Sequence, residues 1–235
     1  MASTIHFTKK FETLKSILTE SSFRLKYCRE QFYLGDKLSS SAVHPMVSFS
    51  NQVLKSIDKK NITYGRYGIG LKKSWVEKKK LHPVLYIDRN SHLANALVDL
   101  LRARRKNARI ELAPHVKLSI ITIKCFTKNI IGYNSYFKIN DFNFRVEKEW
   151  RYVPTKSDIG GSLISQTKKL YDERPDYYNR KLNDFPLQFT AEDIECIFVE
   201  TEKQRSIIAE NFGIAKSIIK LSKWSTDLKK VKGEK

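Results

Sequence analysis

One helix narrows the choice of fold more than anything else in this chain. Residues 90–113, NSHLANALVDLLRARRKNARIELA, place Leu93, Leu97, Leu100 and Leu101 at helical spacing, an apolar stripe that must lie against another element. On both sides of it the chain breaks into short runs rich in β-branched and aromatic residues. These are STIHFTK, HPMVSFSN, YGRYGIGLKKSW, HPVLYID, HVKLSIITIKCFT and YFKINDFNFRVEKEWRYVP. Each reads as a strand, with HPVLYID buried beside YGRYGIG and the last run either one strand or a hairpin turning at IND. KKFETLKSILTESSF sets Phe11, Leu14, Ile17 and Leu18 at helical spacing, and DIECIFVETEKQRSIIAENFG is a strand followed by a helix that stops at Gly213. Strands gathered on both sides of a central helix predict a mixed α+β domain over residues 1–223. Residues 155–186 read as a loop-like lid or insertion, and 224–235 as a basic tail.

A chain of 235 residues, 41% of them hydrophobic, can bury a core of its own. No apolar run reaches the ~20 residues of a membrane span, and the N-terminus meets charged residues too early for a signal peptide, so a cytoplasmic location and no membrane partner are expected. The three cysteines, Cys28, Cys125 and Cys196, form no Cys-x-x-Cys pair, and the five histidines stand in separate segments. No metal is therefore expected, and the YGIG stretch lacks the lysine and hydroxyl of a phosphate loop. The net charge of +19 is the strongest global signal; a field of that size draws in polyanions or an acidic partner. Arg102, Arg105, Lys106 and Arg109 share one face of the central helix and are candidates for contacts with nucleic acid phosphates, with a solvated helix face as the alternative.

The stretch RVEKEWRYVP, residues 145–154, carries the most specific chemistry. As a strand it sets Arg145, Glu147, Glu149 and Arg151 on one face and Val146, Trp150 and Tyr152 on the other. Two readings of the acids stay open at this level. They are paired to Arg145 and Arg151 on an exposed strand face, or they serve a reaction that builds positive charge on a sugar, where one carboxylate steadies an oxocarbenium-like centre and the other prepares the nucleophile. A restriction-type nuclease wants Glu-x-Lys rather than Glu-Lys-Glu, and is disfavoured.

HFTKKFETLKSIL, PMVSFS, YGRYGIGLKKSW, PVLYI and EKEWRYVP, in that order, resemble the AbiGi family of phage abortive-infection proteins over roughly residues 5–200. IHFT, a histidine on a first strand before a helix, resembles ADP-ribosyltransferases of the His-Tyr-Glu type. That resemblance implies an ADP-ribosyltransferase-like fold, a single domain with a split, mostly antiparallel sheet and flanking helices, and NAD as substrate. It places His6 on the NAD ribose and Tyr64 on nicotinamide, with Tyr67 next in line for the latter role. Glu149 anchors the reacting ribose, Glu147 is the upstream acid, and Thr8 and Ser48 line the pocket. The function it implies is an NAD-dependent ADP-ribosyltransferase-like toxin or effector of a phage-defence or toxin–antitoxin system, acting on nucleic acid, RNA above all, or on a nucleic-acid-associated protein. The alternative is a non-catalytic antitoxin or nucleic-acid-binding protein of an abortive-infection system, with nucleic acid or an acidic protein as its partner.

Overall fold

The computed structural model describes residues 2–105, 111–134 and 137–227. Strand β1 (Ala2–Thr8) leads into α1 (Phe11–Glu20), whose Leu14 and Leu18 are buried as the spacing requires. After β2 (Ser22–Phe23), the hairpin β3 (Lys26–Leu34) and β4 (Lys37–Val53) runs through HPMVSFSN, and β5 (Tyr67–Leu71) is followed by α2 (Lys73–Lys78). Then come β6 (His82–Pro83), β7 (Leu85–Ile87), α3 (His92–Ala103) and α4 (Pro114–Cys125). Strands β8 (Thr127–Asn129), β9 (Ile131–Asn134), β10 (Ile139–Asn143) and β11 (Glu149–Tyr152) precede β12 (Gln166–Thr167), α5 (Lys168–Glu173), α6 (Pro175–Arg180) and β13 (Leu187–Gln188). The chain closes with β14 (Ile194–Val199), α7 (Glu202–Phe212) and β15 (Ile219–Leu221).

The main sheet runs β15-β14-β5-β1-β4-β11-β6, with β3 and β12 also paired to β4. Its ladders are antiparallel except β14–β15, so the expectation of an α+β domain with a mostly antiparallel sheet is met. Strand β4 is the hub. It pairs with β3 along residues 37–46 and with β1 along residues 50–53, and Val47, Ser48 and Phe49 lie between the two ladders. One face of the sheet carries the principal core, in which Phe23, Phe49, Ile69, Trp75 and Ile197 pack against Leu14 and Leu18. Ile5, Phe198 and Trp224 fill a smaller core, and a third forms where Phe32 and Ile87 meet α3 and α4. No described helix is long and apolar enough to cross a membrane.

Five local expectations need correction. HVKLSIITIKCFT is not a strand: α4 starts at Pro114, whose ring suits the first helical turn, and buries Ile120, Ile121, Lys124 and Cys125 at helical spacing. HPVLYID does not lie beside β5; its first half edges the sheet next to β11, and its second pairs in parallel with β8. RVEKEWRYVP is not one strand, because residues 144–147 form a 3-10 turn closed by Lys148 at φ 45°, and β11 begins only at Glu149. Residues 155–186 are not loop-like: they carry β12, α5 and α6 and place Ile159, Tyr171 and Leu182 in the principal core. The tail does not begin at 224: Trp224 is fully buried, and its Nε1 donates to the Gly65 carbonyl at 3.1 Å.

Candidate functional site

A cavity of about 770 Å³ opens where β1 and β3 separate along β4. Its lining includes His6, Ser48, Tyr64, Lys128, Glu147 and Glu149. The Glu-x-Glu pair reaches it by an unexpected route. In a continuous strand the two carboxylates would sit on one face; here left-handed Lys148 turns the chain between them, and both still point inward. The Lys128 ammonium on β8 holds them together, 2.8 Å from Glu147 Oε2 and 3.0 Å from Glu149 Oε2.

Every carboxylate oxygen of the pair has an internal donor. Glu149 Oε1 accepts from Ser48 Oγ and Arg151 Nε, both at 2.8 Å, and its Oε2 accepts from Arg151 Nη2 at 3.1 Å as well as from Lys128. Glu147 Oε1 accepts a short hydrogen bond from the Tyr64 hydroxyl. Arg151, fully buried, also donates to Glu30 Oε1 at 2.8 Å and to the Cys125 carbonyl. Glu30, Glu147, Glu149, Lys128 and Arg151 thus form one interior ionic chain, and burial makes each link depend on its neighbours.

The electrostatics follow. Burial alone would raise the Glu149 pKa, but the Arg151 and Lys128 cations outweigh it and hold the group well below the usual carboxylate range. For Glu147 burial wins over Lys128, and its pKa rises. Burial also pushes the Tyr64 hydroxyl up, with Glu147 adding to the effect. Glu149 is therefore a fixed anion with all its lone pairs engaged, suited to holding an arginine and a lysine in place. It is poorly suited to proton transfer at neutral pH.

His6 and Glu149 do not share a face of the sheet. Ile5, Ser50 and Glu149 stand in one cross-strand row, so Glu149 projects to the polar face and His6, one residue on, to the opposite side. The His6 ring lies 4.9 Å from that of Phe23 and 5.6 Å from that of Phe49, against the principal core. Its Nδ1 is 2.9 Å from the Ser48 carbonyl, while the hydroxyl of the same serine serves Glu149. Burial lowers the His6 pKa and keeps the ring neutral.

Of the remaining candidates, Thr8 and Tyr67 pair across β1 and β5 outside the cavity, and the Tyr67 hydroxyl donates to Glu200. Arg102 is exposed and paired with Asp99 at 3.1 Å. Arg105, also exposed, lies past the end of α3, and neither arginine lines the cavity. Lys106 and Arg109 lie outside the described residues. Arg151 as a partner of Glu149 was readable from its position two residues on. Lys128 and Glu30 were not, since nothing local marks a lysine or a glutamate that pairs across the fold.

Taken together, these features define a single-domain α+β protein in which a buried ionic chain lines a ligand-sized cavity. The family model described as "Putative abortive phage resistance protein AbiGi, antitoxin" matches residues 21–200. The chain belongs to the AbiGi family. It is also similar to an abortive phage resistance protein AbiGi of Lactococcus lactis subsp. cremoris, 26% identical over 155 residues, which span 59% of this chain and 62% of that relative. No solved structure matches this chain.

Proposed function

We propose that this chain is the non-catalytic, antitoxin-type component of an abortive phage-infection system, and that it works by binding a partner. The observation that carries this reading is the saturation of Glu149. A carboxylate that must receive a ribose hydroxyl or a proton needs an open lone pair, and here Lys128, Arg151 and Ser48 engage both lone pairs of each Glu149 oxygen, while Tyr64 and Lys128 each engage one oxygen of Glu147. His6 and Glu149 both line the cavity, but from opposite faces of the sheet, and this points the same way, because a transferase of the expected type needs both on one wall of its cleft. The family's description as an antitoxin agrees. The net charge of +19 favours an acidic protein or a polyanion, and an antitoxin that silences a toxin favours the protein.

The test uses the purified chain with labelled NAD and RNA, DNA or cell lysate. No label should move to any acceptor. Transfer that vanishes in Glu149→Gln would overturn the reading.

A further inference from the structure

Among the described residues, strand β3 pairs with β4 and with no other strand, so its second edge has no ladder there. Both ends of that edge are plugged by asparagine side chains. The Tyr33 N–H donates to Asn129 Oδ1 at 2.7 Å, and Asn129 Nδ2 donates back to the Tyr33 carbonyl at 3.1 Å. The Tyr27 N–H donates to Asn179 Oδ1 at 3.0 Å. Alternation along a strand points the main-chain groups of Arg29 and Gln31 the same way as those of Tyr27 and Tyr33. Among the described residues nothing bonds them there. An unpaired strand edge is normally covered or blunted, because it is a template for another chain. This one is blunted at its two ends and left open between them. The window faces the cavity, which both residues line.

We propose that the Arg29–Gln31 edge of β3 is the docking site for an extended, acidic peptide segment of a partner protein, added as one more strand. Four considerations select that occupant. Two N–H donors and two carbonyl acceptors in alternation match a polypeptide backbone at strand spacing, whereas phosphates only accept and leave RNA nothing but its 2′-hydroxyls for the carbonyls. Arg24, Lys26, Arg29 and Lys168 line the same cavity. Glu20 engages Arg24, Asp172 engages both Arg29 and Lys168, and Lys26 has no carboxylate partner among the described residues; Glu30, Glu147 and Glu149 line the same cavity but are held by Arg151 and Lys128, so the charge left over along the β3 edge itself is positive. A second copy pairing edge to edge would set these cations against one another. This assignment rests on the reading that the chain works by binding a protein.

The probe is a displayed library of random ten-residue peptides, selected on the full chain. The expected result is enrichment of aspartate- and glutamate-rich sequences that slow hydrogen exchange at the Arg29 and Gln31 amides. Gln31→Pro removes the outward N–H along with the glutamine side chain, and proline is tolerated on an edge strand. It should weaken the selected peptides by about tenfold or more. Lys26→Glu alters one exposed side chain, keeps the test alive if the proline variant does not fold, and should weaken them comparably. An empty selection, protection elsewhere, binding unchanged in both variants, or protection of the same amides by single-stranded RNA or by self-association would each overturn the proposal. A folded Gln31→Pro chain that still protects phage-challenged cells fully also overturns the edge assignment, and leaves the partner-binding reading standing.

Discussion

Glu149 is, with Arg151, the most heavily engaged side chain of the ionic chain. It is 7% exposed and bonded to Arg151, Lys128 and Ser48. Removing one partner of a buried pair strands the other's charge, so Glu149→Gln should cost about 3–5 kcal/mol in urea unfolding. A cost under about 1 kcal/mol, the size of a surface pair, would show that the network contributes little. Histidine supplies a second test. Burial, with Lys124 adding, lowers the His44 pKa to about 3, so the folded chain refuses a proton that the unfolded chain accepts below its ordinary value near 6.5. Stability from this group is complete above that value and declines as pH falls from it toward 3. His6 acts in the same direction. The melting temperature should be lower at about pH 5 than at about pH 7.5, and His44→Phe should shrink the difference. An equal pH dependence in the two proteins would remove His44 as a cause.

Among the elements, α4 shows where sequence reading stops. Val116, Ile120, Ile121, Thr122 and Ile123 give it the composition of a strand. Packing on the sheet and against α3 makes it a helix. A peptide of residues 113–126 should therefore show little helix by circular dichroism in water, and a mostly helical spectrum would contradict this account. α1, β1 and β14 were legible because their apolar spacing agrees with the surface they bury, as Leu14 does with Leu18; α3 was legible only in part, since Leu97 and Leu101 are buried but Leu93 and Leu100 of the expected stripe are exposed and the helix ends at Ala103. The site was half legible. Glu147 and Glu149 stood out by spacing, but that spacing misled about the backbone, since left-handed Lys148 leaves no mark in the sequence. Lys128 lies 21 residues before Glu149, and Glu30 lies 121 before Arg151, separations at which no periodicity survives.

For the molecule as a whole, Trp224 ties the described end of the chain into the core. Trp224 packs its ring 5.0 Å from Phe198 and 5.6 Å from Phe7, and the neighbouring Ser225 carbonyl accepts from the Ile62 N–H. Ending the chain after Lys223 should cost about 3–5 kcal/mol, the range for losing a buried tryptophan, read as a lower urea midpoint. An unchanged midpoint would mean that the segment only rests on the surface. The hub role of β4 bears on how the protein is made. Its hairpin with β3 can close as soon as both leave the ribosome, yet Ser48 waits for a glutamate 101 residues downstream and Glu30 for an arginine 121 downstream. Synthesis must pass residue 151 before the first half of the chain can balance its interior charge. A nascent chain stalled short of that point carries a hairpin it cannot seal, and chaperones or proteases would meet it in that state.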